Sequence, residues 1–341
     1  MEKNYRVVFT EKCKVELQEC EMPVPADDEL LLKTIVTQIS TGTELTRLEQ
    51  NIAEDSFWNG SARAAYMAFP IYPGYSYVGE VVAVGKNCDE SLIGKRVIAS
   101  HRHQKYAVLR EEQAIYLPEN VDSDEAAFKT LAVVALASIR AAQIRPGETA
   151  VVFGAGIVGQ LVARLAQIAG AVNVVVVDIS DNRLNYVPKN KCFYTVNSTK
   201  ENVEEFVKKI NNGKLADIVF ETTAYPPLIA EEVKCITKRG KLVITSSPKG
   251  PSKIDFEYCS ANGITIIAAH NLAFHPPVAT PENPWTGSRD AEYVVQLLDK
   301  ELLSLKDLVS HKESYKNAVA MYELLMEDRT QALAVHLDWR D

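Results

Sequence analysis

The sequence contains no apolar run approaching the roughly 18 residues that a membrane-spanning helix requires. Its opening stretch, MEKNYRVVFTEKCK, is charged throughout and lacks the apolar centre of a secretory signal. A cytoplasmic protein is the resulting expectation. Cysteine is scarce and scattered: Cys13, Cys20, Cys88, Cys192, Cys235 and Cys259 form no CxxC pair. They read as reduced thiols and not as a disulfide framework or a cysteine-built zinc cluster. A surplus of basic residues is missing too, since 37 Lys and Arg stand against 45 Asp and Glu for a net charge of -8. That balance argues against a nucleic-acid or anionic-membrane partner and leaves small molecules. Internal repeats and low-complexity segments are absent from the sequence.

What is present is an ordinary folded composition, 47% hydrophobic and 24% charged over 341 residues, a length that predicts two domains. Residues 1–122 read as short strands broken by Pro and Gly, among them YRVVFT, ELLLKTIVTQI, YVGEVVAVG, KRVIAS and YAVLREEQAIYL. The only helix-like stretch there lies around Leu45 to Tyr66. From residue 123 the texture changes to alternating helices and doubly apolar strands (TAVVF, NVVVVD, ADIVFE, KLVITS, ITIIAAH). Such strands predict a parallel sheet covered on both faces over residues 123–276. Residues 277–341 then read as helix, helix, strand and are expected to complete the first domain. The fold class is therefore α/β: a β-rich domain plus a doubly wound parallel-sheet domain.

Within VVFGAGIVGQ, Gly154, Gly156 and Gly159 make a GxGxxG turn between a strand and the helix opening at Ile157 and Val158. The glycines permit a tight turn, close approach to a pyrophosphate and close helix–strand packing, with the phosphates at the helix N-terminus. Asp178 closes NVVVVD, about 20 residues on, where a carboxylate hydrogen-bonds ribose hydroxyls and repels a 2′-phosphate. NAD(H) is thus the expected cofactor, with Arg183 a candidate on the adenosine side. The competing reading is a purely structural turn with Asp178 as a helix cap.

This layout resembles the medium-chain dehydrogenase/reductase superfamily of the zinc alcohol dehydrogenases. The residues carrying the likeness are YPGYSYVGEVVAVG with GKRVIA, the run from AAFKTLAVV to LAQIAG, and LVSHKESYKNAVAMYELL. ISTGTE, PGYSYVG and the ending LDW are similar to the branch of bacteriochlorophyllide hydroxyethyl dehydrogenase. The resemblance implies a GroES-like catalytic domain, a Rossmann domain and hydride transfer between a secondary alcohol and a ketone.

The zinc pattern itself is broken. Where the family's ligand cysteine stands, this chain has Thr41; the ligand histidine position is Tyr75; the third ligand should fall near Phe128–Thr130, which offers no thiol or acid. The cysteine lobe of a structural zinc is also missing. Zinc needs Cys, His or carboxylate donors, so no zinc is expected. Without it, the charge developing on oxygen must be met by hydroxyl or cationic side chains. The candidates are Thr43, at the position that passes the alcohol proton in relatives, Tyr75 as acid or base, and Lys129 as a positive charge or as a group lowering a tyrosine pKa. Each has a bland counterpart: a packed aromatic for Tyr75, a lysine snorkelling to solvent for Lys129. Glu44 and His103 are candidate substrate contacts, His103 forming an i,i+2 pair with His101 that lacks a third metal ligand. Trp58, Asn59, Arg63 and Tyr66 sit in a segment expected to cover the cleft.

Ligands of doubly wound sheets bind at strand C-termini, which selects Thr222, Thr223, Ser246, Ser247, His270 and Asn271 for the nicotinamide end. Arg340 is a candidate for the pyrophosphate. The apolar strand Ile264–Ala269 falls at a sheet edge in this family, and an edge of that kind needs a cover, so a homodimer is expected. The reading is a zinc-independent, NAD-dependent oxidoreductase acting on a sugar, cyclitol or secondary metabolite. The alternatives are an NADPH-dependent quinone or enoyl reductase and a dinucleotide-binding protein without turnover.

Overall fold

The computed structural model describes residues 2–52 and 62–340, so Trp58 and Asn59 and the side chains of Arg63 and Asn271 lie outside the description. The chain divides into two compact units, one built from residues 2–52, 62–130 and 291–340, the other from residues 131–290.

In the first unit, β1 (Asn4–Glu11) and β2 (Lys14–Cys20) form an antiparallel hairpin. A seven-stranded sheet contains β3 (Glu29–Ile39), β4 (Tyr77–Val84), β5 (Arg96–Ala99), β6 (Tyr106–Arg110) and β7 (Ile115–Tyr116). Two late strands, β14 (Val309–Ser314) and β15 (Ala334–Asp338), join it in the order β14-β15-β3-β4-β5-β7, with β6 also on β3. The alternation of buried and half-buried residues along β3 is the period-2 signature of a sheet with one face in a core. One core gathers Phe9, Ile39, Leu45, Leu48, Tyr322, Leu337 and Trp339; a second gathers Leu30, Leu32, Tyr77, Val81 and Val97.

The second unit is a six-stranded sheet whose ladders are all parallel, ordered β10-β9-β8-β11-β12-β13. Its strands are β8 (Thr149–Phe153), β9 (Asn173–Asp178), β10 (Phe193–Asn197), β11 (Ala216–Glu221), β12 (Ile236–Ile244) and β13 (Thr265–Ala268). Counting from β8, this is the 3-2-1-4-5-6 order whose reversal point lies between the first and fourth strands. The helix after the glycine turn (Ile157–Ile168) buries Leu161, Val162 and Leu165 at 0–2% exposure, each contributing roughly 1.5–3 kcal/mol of transfer free energy.

Two expectations shift. The single helix read from residue 123 is two, Ser123–Ala126 and Lys129–Ala142, and β14 was not anticipated. The unit boundaries fall after Thr130 and Asp290 and not after residues 122 and 276. The reasons are visible in the hydrogen bonds. Glu125 accepts from the Leu305 amide at 2.7 Å, tying residues 123–130 to the first unit. Asp290, fully buried, takes a two-nitrogen clamp from Arg140 and a 2.9 Å bond from His275, tying residues 277–290 to the second.

Candidate functional site

The glycine turn follows β8 as its residues demand. Gly154 has φ +101, and a Cβ there would meet Thr222 Oγ1 at 2.7 Å; one on Gly159 would meet Gly154 O at 1.8 Å. Gly156 caps the helix with nothing within 4 Å of its would-be Cβ and no side chain on the cap. The first-turn amides of Ile157 and Val158, the one buried and the other half-buried, therefore open onto a cradle that suits a pyrophosphate.

Asp178 buttresses that cradle. Its two oxygens accept from the Ala155 amide at 2.7 Å and the Ser180 amide at 2.9 Å, which leaves lone pairs for ribose hydroxyls. Arg183 follows on the short helix Asp181–Leu184, where its carbonyl accepts from Gln160 Nε2 at 3.1 Å. Thr222 Oγ1 donates to Phe153 O at 2.6 Å and so locks the turn from the β11 side. Glu221, fully buried, accepts from the Thr223 amide and hydroxyl, the Ala224 amide and the Ser246 hydroxyl. Thr222, Thr223 and Ser246 are thus brought together at the strand ends, and Ser247 is exposed beside them. His270 lies just past β13, its carbonyl accepting from the Ala273 and Phe274 amides at 2.9 Å. The chemistry of this cradle fits a dinucleotide.

In the first unit the chain leaves β3 at Ser40 and enters the helix Thr41–Glu49. The turn carrying Tyr75 packs against the His103 loop because residue 74 is glycine: φ is +105, a Cβ would lie 2.5 Å from His103 N, and that amide donates to Pro73 O at 2.9 Å. The Tyr75 hydroxyl meets the Ser40 hydroxyl and donates to Thr43 Oγ1 at 3.3 Å. Two of the expected catalytic residues are therefore in contact, joined through Ser40, which the sequence reading did not single out. Thr130 Oγ1 donates to Tyr75 O at 2.9 Å, which pins the segment of Lys129 to the same turn. Lys129 is 9% exposed and has no hydrogen-bond or ion-pair partner among the described residues; burial brings its pKa down to about 8.

Three expectations change on this geometry. Lys129 is not among the groups that shift the Tyr75 pKa: burial pushes the phenol up to about 12, only partly opposed by its Ser40 and Thr43 hydrogen bonds, so the phenol keeps its proton at neutral pH. Glu44 and His103, expected at the substrate, are 1% and 0% exposed. Glu44 accepts from the Ser40 amide at 2.9 Å, pairs with His103 Nε2 at 3.1 Å and accepts from the Tyr322 hydroxyl, while His103 Nδ1 meets Thr37 Oγ1 at 2.8 Å. Both are enclosed and bonded inside the core, so they hold the Ser40–Thr43 turn and present no exposed face to a ligand. His101 and His103 lie in the loop between β5 and β6, not on a strand, and His101 packs against the Tyr77 ring. Arg340 pairs with Asp338.

Glu44 lies four residues past the helix cap Ser40, whose amide donates to it, a local spacing that could have marked its structural role. Glu221 and Tyr322 had no such local mark, because their partners arrive from other parts of the chain.

The positions that the resemblance aligns with zinc ligands are Thr41, Tyr75 and the stretch Phe128–Thr130, and among the described residues no three His, Cys, Asp or Glu side chains group as a metal site. A buried ammonium repels a dication, so the donor set does not fit zinc.

Residues 158–276 match the family described as zinc-binding dehydrogenase, a match that excludes positions 41, 75 and 128–130. D-xylulose reductase of Saccharomyces cerevisiae is 29% identical over 64% of this chain, which spans 59% of that protein's length. An Escherichia coli oxidoreductase/dehydrogenase of unknown specificity shares the fold with TM-score 0.82 at 19% identity, covering 99% of both chains. An Escherichia coli alcohol dehydrogenase solved with NADH has TM-score 0.80 at 16% identity, covering 98% of this chain and 99% of that one.

Proposed function

We propose that the protein is an NAD-dependent oxidoreductase that interconverts a secondary alcohol and a ketone without zinc. A member of the medium-chain dehydrogenase superfamily acting on a sugar, cyclitol or secondary metabolite is the reading that the sequence resemblance and the D-xylulose reductase relative support. The observation that carries it is the Ser40–Tyr75–Thr43 hydroxyl cluster with the buried, unpartnered Lys129 held to the same turn.

Gly154, Gly156, Ile157, Val158, Gly159 and Asp178 would hold the dinucleotide, which supplies the hydride acceptor. Tyr75, protonated at neutral pH, donates to Thr43 Oγ1. That leaves the Thr43 O–H free to donate to the substrate oxygen, and the cationic form of Lys129 offsets negative charge growing there. The Asp178 carboxylate disfavours a 2′-phosphate. At the exposed edge of the second sheet, β13 presents Ile266 at 36% exposure, and we read this edge as the homodimer seam.

Thermal stability measured with NAD, NADH, NADP and NADPH, alongside metal content, tests the reading. Stabilisation by NAD(H) with no stoichiometric zinc, followed by turnover in a polyol and keto-sugar screen, is expected. Preference for NADPH with C=C reduction, or binding without turnover across the screen, overturns it.

A further inference from the structure

Behind the Tyr75 turn, three buried side chains carry polar atoms without a hydrogen-bond partner among the described residues: both amide atoms of Gln38, Ser76 Oγ and His336 Nε2. All three residues are at most 1% exposed, and they are neighbours. His336 on β15 stands directly opposite Gln38 on β3, and the Gln38 amide donates to Ser76 O at 3.1 Å. Opposed residues of antiparallel strands present their side chains to one face. Buried polar groups in folded proteins are almost always satisfied; a polar, enclosed group of two to four such partners is the setting in which internal water is held.

The cluster has an outlet. His336 Nδ1 meets Asp124 Oδ1 at 3.1 Å, and Asp124 Oδ2 pairs with Lys312 at 2.5 Å. Asp124 lines a cavity of about 530 Å³ together with Lys33, Arg96, Asp122 and Arg340. His336 and Lys312 hold the Asp124 carboxyl down to about 2 against its burial, so this carboxylate carries no proton and the hydrogen of the pair sits on Nδ1. Burial outweighs Asp124 and keeps the imidazole below its ordinary pKa, so Nε2 offers a lone pair inward. Lys312 and Asp122 are the other charged groups felt at His336, and Phe128, next to Lys129, packs on its ring with centroids 5.2 Å apart. At the inner end, Ser76 follows Tyr75 directly and Ser40 lies two residues beyond Gln38.

We propose that Gln38, Ser76 and His336 hold ordered water, and that this water with His336 and Asp124 forms a proton path from the Ser40–Tyr75–Thr43 hydroxyls to the Asp124 cavity. The inference rests on the proposed reaction. A dinucleotide held by the glycine turn would supply the hydride acceptor; as the alcohol carbon gave up its hydride, the O–H bond would break while C=O formed, leaving one proton to remove. That proton passes along the hydroxyls and the held water to His336 Nε2. As the Nε2–H bond forms, the Nδ1–H bond breaks toward Asp124 and releases a proton to cavity water, so charge and atoms balance. In this scheme Asp124 and His336 are positioning and transfer groups that do not touch the substrate.

The test pairs a high-resolution crystal structure with kinetics of His336→Gln and Asp124→Asn. The expected structure shows water bonded to His336 Nε2 and the Gln38 amide. His336→Gln is expected to lower kcat about tenfold or more, with NADH affinity unchanged and kcat restored by added imidazole buffer; Asp124→Asn, nearer the surface, shifts the same way by less. Direct pairing of the three side chains with no water between them overturns the proposal, as do both variants turning over like the parent at every buffer concentration. If the parent itself binds NADH but oxidises no alcohol, the proposed function fails and takes the path with it. That failure differs from a loss confined to the variants.

Discussion

Two buried charged groups, one in each unit, are treated in opposite ways. Glu221, at the end of β11, is saturated: two backbone amides and two hydroxyls donate to it. Lys129, beside the Tyr75 turn, is nearly as buried and has no partner among the described residues. A buried ion without partners costs stability. The saturated carboxylate holds two loops at a strand end. The unpartnered ammonium is the group that the proposed mechanism draws on. Glu44 belongs with Glu221, since its oxygens are consumed by Ser40, His103 and Tyr322.

The sharpest way to break this contrast is at the glycine turn, which carries no charge. A Cβ at Gly159 would lie 1.8 Å from Gly154 O, a backbone atom that cannot move aside. Gly159→Ala is therefore expected to abolish the NADH-induced thermal shift, and a retained shift would show that the cradle is not the dinucleotide site. Next is Lys129→Met, which keeps the volume and removes the charge. It should lower kcat/KM by about 10²–10³-fold, the range for loss of one transition-state charge stabiliser, with NADH affinity preserved. In the parent, ketone reduction should fall as pH rises through about 8, where Lys129 loses its proton, and that limb should vanish in the variant.

Glu44→Gln tests the saturated class. It leaves His103 and Tyr322 mismatched in the core and should cost about 2–4 kcal/mol of stability, read by denaturant unfolding. If activity drops with stability unchanged, Glu44 belongs with Lys129 after all.

The pH-dependent test concerns Glu232, fully buried with both oxygens unpartnered. Burial, with the Glu221 charge adding to it, raises its pKa to about 9. The folded state holds this proton where the unfolded chain has released it. Stability therefore falls with rising pH between the ordinary glutamate value and about 9, by up to about 1.4 kcal/mol per pH unit. Glu232→Gln should remove that slope, as followed by Tm across the window.

The dinucleotide half was largely legible because its signals are local. A GxGxxG between strand and helix, and an acid at the end of the next strand, are set by backbone geometry within one βαβ unit. The hydroxyl site was legible only in part. Thr43, Tyr75 and Lys129 were picked out by where the resemblance places them, and two of them do meet. Ser40 was missed because it reads as an ordinary helix cap, and Glu44 and His103 were expected at a ligand because sequence cannot weigh their burial.

By itself, the sequence determined most of the order of elements, the parallel and antiparallel sheets and the glycine cradle. All of these follow from residue periodicity, glycine's lack of a Cβ and side-chain chemistry. Only the tertiary structure decided which polar groups are spent and which are left open. Partners 59 residues apart for Glu44 and His103, 278 for Glu44 and Tyr322 and 212 for Asp124 and His336 are set by how strands and helices pack. Hydrogen-bond satisfaction and desolvation act on that packed arrangement, which no local pattern encodes.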